Sequence, residues 1–278
     1  MPMVHNAIPK TLGPKTALLF THLYEQSKTT FTLADVEAIT GLRGTSARTL
    51  VHKAAKRGLL TRLQPGLYTL IPFELGNTRE YVGDPYLIAK SLVHGDDYFL
   101  SHRSAMELHR MVTQPQLTIM VSCAKSMRPR TIHGYEYRFL VVRPKFFFGL
   151  TTHWIDKQQS VVLSDPERTI VDGLRHPQYV GGVTEVARAV FLRRKDLDVK
   201  RLVDYALRLN IGAVIRRLGF LLETCSLETP ESVSALQSHL TPTYEPLDSS
   251  LPPEGPYQAR WRVRVNVSPE ELRAVANT

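Results

Sequence analysis

Between Thr45 and Arg57 the chain sets Ala47, Leu50, Val51 and Ala54 at the i, i+3, i+4, i+7 spacing of one helical face, and nowhere in that segment does it place an acidic residue. Such a helix buries one stripe and leaves Ser46, Arg48, Thr49, His52, Lys53, Lys56 and Arg57 on the other. Thr45 is a suitable N-cap and Gly58 a suitable stop. The flanking segments narrow the fold further. Upstream, Ala17, Leu18, Leu19, Leu23 and Tyr24 recur at near-helical spacing behind Pro14, which suits a first turn. Thr32 then caps a short helix carrying Leu33, Val36 and Ile39, ended by Gly41. Downstream, Leu59–Gln64 and Leu67–Ile71 read as two strands joined by a type II turn at Pro65-Gly66.

Helix, short helix, tight turn, basic helix and hairpin in that order predict a winged helix-turn-helix, whose third helix suits the major groove of double-stranded DNA. Groove geometry then divides the polar residues. Thr45, Ser46, Arg48 and Thr49 open the third helix, and the last three are expected at base edges. His52 stands between base and phosphate, Lys53, Lys56, Arg62 and Arg43 are expected at the backbone, and Gln64 at the hairpin tip reaches toward the minor groove. The charge agrees with an acidic partner: the chain carries +9 with a pI near 9.6. Residues 1–72 hold nine Lys and Arg against three Asp and Glu, while the remaining three quarters hold 26 against 23.

At 278 residues the chain has room for two domains. Residues 1–75 are expected to form the DNA-binding domain and 76–278 a larger one, with Asn77–Gly83 as linker. The fold class expected is α+β, the second domain being mixed α/β with a helical second half. Asp84-Pro85 opens one helix and Ser101 caps another. Leu117–Ser122, Tyr135–Val142 and Ser160–Leu163 read as strands. Asp165 and Pro166 start a further helix, followed by helical tracts at Val183–Arg194, Val199–Leu209 and Ile211–Glu223. The proline-rich stretch Thr241–Pro256 reads as a loop and Trp261–Val267 as a last strand. In that strand Arg260, Arg262 and Arg264 would line one face and Trp261, Val263 and Val265 the other.

No apolar run approaches the roughly 20 residues that span a bilayer, and Met1–Lys10 lacks the apolar core of a secretion signal, so a cytoplasmic protein is expected. Cys123 and Cys225 belong to no CxxC pair and read as two buried thiols. No metal, cofactor or catalytic residue is expected. His102 and His109 lie seven apart without a His-Glu-x-x-His arrangement, and no P-loop or Gly-x-Ser-x-Gly motif occurs.

Three segments carry a resemblance: Pro65-Gly66-Leu67-Tyr68, Tyr98–His109 (YFLSHRSAMELH) and Ser164–Asp172 (SDPERTIVD). Together they resemble the AbiEi family of antitoxins, over about Leu18 to Leu222. The resemblance implies an autorepressor whose winged helix binds inverted repeats in its own operon, in an AbiE-type (type IV) toxin-antitoxin system. It further implies a C-terminal domain that serves repression and counters a nucleotidyltransferase-like toxin encoded beside it. In the family, neutralisation is commonly described without a stable complex, so direct contact stays open. Two other readings compete: a winged helix addressing a metal-dependent nuclease, for which Asp198-Val199-Lys200 has a nuclease-like spacing, and a protein-docking adaptor. Asp196 and Asp198 also form an Asp-x-Asp pair, without the Gly-Ser signature of a nucleotidyltransferase ahead of it.

Overall fold

The computed structural model describes residues 12–76, 81–93, 95 and 97–274. The chain is α+β, and its described residues form two compact units. The first comprises the described residues before Asp97 together with Arg130–Tyr137 and Trp154–Val161. The second comprises Asp97–Pro129, Arg138–His153 and the described part of Val162–Thr278. A boundary between residues 75 and 76 was expected. The first unit instead continues past it, because the helix at Pro85–Val93 packs on its sheet. Residues 77–80 of the expected linker lie outside the described residues.

In the first unit, α1 (Pro14–Glu25) begins with proline at its first position. β1 (Thr30–Thr32) follows, a strand the periodicity did not signal. Thr32 caps α2 (Leu33–Thr40) in a reciprocal box: the Asp35 amide donates to its hydroxyl, and its own amide donates to the Asp35 carboxylate. Gly41 ends α2 at φ +72. Next come α3 (Thr45–Lys56), β2 (Leu60–Gln64) and β3 (Leu67–Leu70). Thr45, expected as the cap of α3, is its first residue; Gly44 takes the cap position at φ +54, which glycine adopts without the penalty of a Cβ. β3 lies between β1 and β2, antiparallel to both, with Phe31 opposite Tyr68 and Thr61 opposite Thr69. Leu19, Leu23, Phe31, Val36, Val51, Leu60 and Leu70 form the core beneath. α4 (Pro85–Val93) completes the helices of this unit.

The second unit is built on a sheet and a helical layer. β4 (Tyr98–Leu100) leads to α5 (His102–Leu108) and β5 (Thr118–Cys123). β6 (Arg130–Ile132) pairs with the start of β7 (Tyr135–Val141) in a hairpin that belongs to the first unit, while the rest of β7, nearly all of β8 (Leu150–Trp154) and the end of β9 (Ser160–Ser164) belong to the second. β4 runs antiparallel to β5 and parallel to β9, with Leu100 opposite Leu163. The helices are α6 (Pro166–Arg175), α7 (Val183–Arg193), α8 (Val199–Leu209), α9 (Gly212–Thr224) and α10 (Pro230–Gln237). Their apolar faces meet in one core around Ile170, Leu174, Val186, Leu202, Leu218 and Trp261.

The C-terminal region departs from expectation. The proline-rich stretch contains β10 (Glu245–Pro246), which pairs parallel with β12 (Val263–Arg264), and β11 (Tyr257–Gln258) flanks β12 on its other side. The strand expected from Trp261 to Val267 shrinks to two residues because Arg262, at φ +52, turns the backbone out of the extended region. Trp261 is fully buried over Gly219, where a Cβ would collide with the indole. α11 (Pro269–Ala274) closes the described chain. Cys123 is buried and Cys225 half-buried, not fully as expected, and neither is in a disulfide. Among the described residues no helix is long and apolar enough to cross a membrane.

Candidate nucleic-acid interface

α3 packs through Ala47, Val51 and Ala54, which are buried, with Leu50 half-buried against the same core. At 100° per residue the opposite side is centred on Thr45, Thr49, His52 and Lys56, flanked by Arg48 on one side and Ser46 and Lys53 on the other. All seven are exposed. The sequence periodicity thus places these residues as the structure does, because a stripe of small and aliphatic side chains leaves the helix a single way to bury itself.

The turn into α3 is held from α2: the Gly44 amide donates to Glu37 Oε1 at 2.8 Å, and the Ser46 amide to the Arg43 carbonyl. Arg43 is exposed in this turn. On the hairpin, Arg62 is exposed, whereas Gln64 is half-buried beside the Pro65-Gly66 turn, with Gly66 at φ +83. The Leu33 amide donates to the Gly66 carbonyl at 2.9 Å, tying the hairpin tip to the start of α2.

Among the described residues, Arg43, Arg48, Lys53, Lys56 and Arg62 form no ion pair. Exposed cations without an ion-pair partner among these residues raise the local potential instead of being committed to the fold. The face therefore offers separated cations, hydroxyls and an imidazole on a rigid helix, with a basic hairpin after it.

No protein-family model matches this chain, and no curated protein matches it. Among solved structures it is similar to the crystal structure of the RV2827C protein from Mycobacterium tuberculosis. The TM-score is 0.69 at 15% identity, over 97% of each chain. That likeness establishes a shared fold.

The other residues singled out from sequence serve the larger unit. Asp165 caps α6 through the Arg168 amide at 2.7 Å and accepts from the Tyr205 hydroxyl at 2.8 Å. Burial raises the Asp165 carboxyl; burial and that hydrogen bond push the Tyr205 phenol up to about 12. Arg168, 1% exposed, meets Asp172 at 2.9 Å, donates to the carbonyls of Phe146 and Phe148, and lies 4.2 Å from the Phe148 ring centroid. Glu167 accepts from the Asp198 amide and faces Arg201. Asp198 itself caps α8 and Asp196 pairs with Arg193, so the nuclease-like and Asp-x-Asp spacings resolve into helix ends.

His109 Nε2 lies 2.7 Å from the Ser164 carbonyl oxygen. His102 sits at φ +50, its Nδ1 2.9 Å from Ser101 Oγ, which also accepts from Ser122 Oγ at 2.8 Å. Ser101, expected to cap α5, thus makes no cap hydrogen bond there. Burial pushes the His102 imidazole down to about 4. The nearby His176, Arg168 and Arg175 reinforce that shift and Asp172 opposes it. Among the described residues no three His, Cys, Asp or Glu side chains gather closely enough to hold a metal ion. Arg260 pairs with Glu223, Arg262 donates to the Leu240 carbonyl, and Arg264 donates to the Gly255 carbonyl while lying over Tyr257. The arginines expected on one strand face are drawn into three separate local contacts.

Proposed function

We propose that this chain is a transcription repressor that binds double-stranded DNA through a winged helix-turn-helix in its first unit. In this reading α3 enters the major groove and the β2–β3 hairpin is the wing. The observation that carries it is the exposed, acid-free face of Arg48, Thr49, His52, Lys53 and Lys56, which forms no ion pair among the described residues, opposite a well-packed apolar stripe. Arg48, in the first turn of α3, reads a base edge, and Lys56, at the helix end, meets phosphate. The protein acts in the cytoplasm, does no chemistry on the DNA, and needs neither metal nor cofactor.

Titration of the full chain against a duplex from upstream of its own coding sequence and a scrambled duplex tests this. Arg48→Ala should weaken binding to the first selectively, and Lys56→Ala should weaken both alike. Equal, negligible effects of the two substitutions would remove α3 from the interface. The duplex should also stay intact with Mg²⁺ or Mn²⁺; cleavage that vanishes in Asp198→Ala would install the nuclease reading instead.

The motifs Tyr98–His109 and Ser164–Asp172 support a second element of the proposal: the chain is the antitoxin of a toxin-antitoxin operon and counters a nucleotidyltransferase-like toxin, its operator being an inverted repeat. Because both motifs lie in the larger unit, the reading gives antitoxicity to that unit. Colony formation with the toxin expressed from an unrelated promoter, alone and with the full chain, tests it. Toxicity undiminished by a well-expressed chain sinks the antitoxin reading.

A further inference from the structure

The first unit contains a second hairpin besides the wing. β6 and the start of β7 pair Arg130 with Tyr137, Thr131 with Glu136 and Ile132 with Tyr135, and this segment belongs to the first unit although it lies far along the chain. Its turn is His133-Gly134, with φ of +46 and +84. Positive φ at both central positions matches the right-handed twist of the flanking strands and fixes the register. Ile132 and Tyr137 are buried and anchor the ribbon, while Arg130, Thr131 and His133 are exposed.

Arg130 lines a concavity of about 420 Å³ together with Gln64 and Gly66 at the wing tip, Thr32 and Leu33 at the start of α2, and Ser91 of α4. Among the described residues no acidic side chain lies on that wall, and Arg130 is the single charged residue lining it. Asp35, the nearby acid of the capping box, is already matched by Lys28 at 2.7 Å. Among the described residues the Arg130 guanidinium has no hydrogen-bond or ion-pair partner. The sequence around it reads the same way: Lys125, Arg128 and Arg130 fall within six residues, and the next acid is Glu136.

We propose that Arg130 is a contact to the phosphate backbone of duplex DNA, so that the β6–β7 hairpin works as a second wing beside the first. A guanidinium fork on a register-locked ribbon is suited to the paired oxygens of a phosphodiester. Duplex DNA is favoured over an acidic protein because the described residues of the wall supply a cation and the wing tip but no exposed aromatic anchor of the kind that dominates protein interfaces. The proposal rests on the DNA-binding reading above and extends its footprint to a segment outside the helix-turn-helix.

The test measures affinity of the full chain for the upstream and scrambled duplexes across a salt series. Wild type should lose affinity linearly in log salt. Arg130→Ala should weaken both duplexes roughly tenfold at moderate salt and reduce the slope by about 0.9, with an unchanged melting temperature because the side chain is exposed. Arg130→Lys should keep the slope and recover part of the affinity. If wild type binds and Arg130→Ala leaves affinity and slope untouched, the second wing is wrong while the α3 reading stands. An effect confined to the upstream duplex makes Arg130 a base reader and overturns the phosphate assignment. Failure of wild type to bind either duplex overturns both proposals.

Discussion

α3 and α6 use charge in opposite ways. α3 leaves Arg48, Lys53 and Lys56 in solvent with no ion pair among the described residues, and packs through small apolar side chains. α6 buries Glu167, Arg168 and Asp172 to 3%, 1% and 4% exposure and gives each a partner. A buried charge is tolerable only when every polar atom is satisfied, so it is committed to the fold. An exposed, unpaired cation contributes little to stability and stays available to a ligand. The difference separates residues that hold the protein together from residues left free for something outside it.

The largest effect expected is therefore in α6. Arg168→Ala strands the Asp172 carboxylate and leaves two carbonyls without their donor, costing about 3–5 kcal/mol. Denaturant unfolding of the full chain should register it as a lost or strongly shifted transition of the larger unit. A loss below about 1 kcal/mol, the range of an exposed pair, would erase the contrast.

Acid should act on the same unit next. His102 is held neutral at about 4, below the ordinary 6.5, so its contribution is fully present above pH 6.5 and is lost as pH falls toward 4. Over that window the linkage amounts to roughly 3 kcal/mol. Asn tolerates the positive φ and does not titrate, so His102→Asn should flatten the pH dependence of unfolding relative to wild type. Parallel curves would show that the imidazole does not carry it.

On α3 the order of effects reverses. Arg48→Ala should cost roughly 1–3 kcal/mol in binding to the specific duplex, yet its thermal unfolding should match wild type. A destabilisation comparable with Arg168→Ala would mean that the exposed face is structural. The smallest effect belongs to Lys56→Ala, which should lower the salt slope of binding by about 0.9 and affect all duplexes alike.

Elements specified by a few neighbouring residues were legible in the sequence. Thr32 with Asp35 and Gly41 bound α2, Asp165 with Pro166 opens α6, and Pro65-Gly66 turns the hairpin. Caps and turns are closed by hydrogen bonds and φ preferences spanning three or four positions, so their information is local. The basic face of α3 was legible for a related reason: its periodicity alone decides which side is buried. Its function was not, because an exposed cation carries no record of its partner.

Tertiary structure alone decided the rest. β1 is three residues long and is a strand because β3 offers it a ladder. Arg168 and Arg48 are the same residue type, in the third and fourth positions of their helices, and only the packing around them makes one internal and the other external. Placement of Arg130 with the tip of the β2–β3 hairpin depends on a second hairpin returning from far along the chain. Three alternating arginines near Trp261 look like one strand face until Arg262 takes a positive φ and each finds a different acceptor or ring. Long-range partners are chosen by the whole fold, whereas caps, turns and helical faces are chosen by residues within a turn or two of one another.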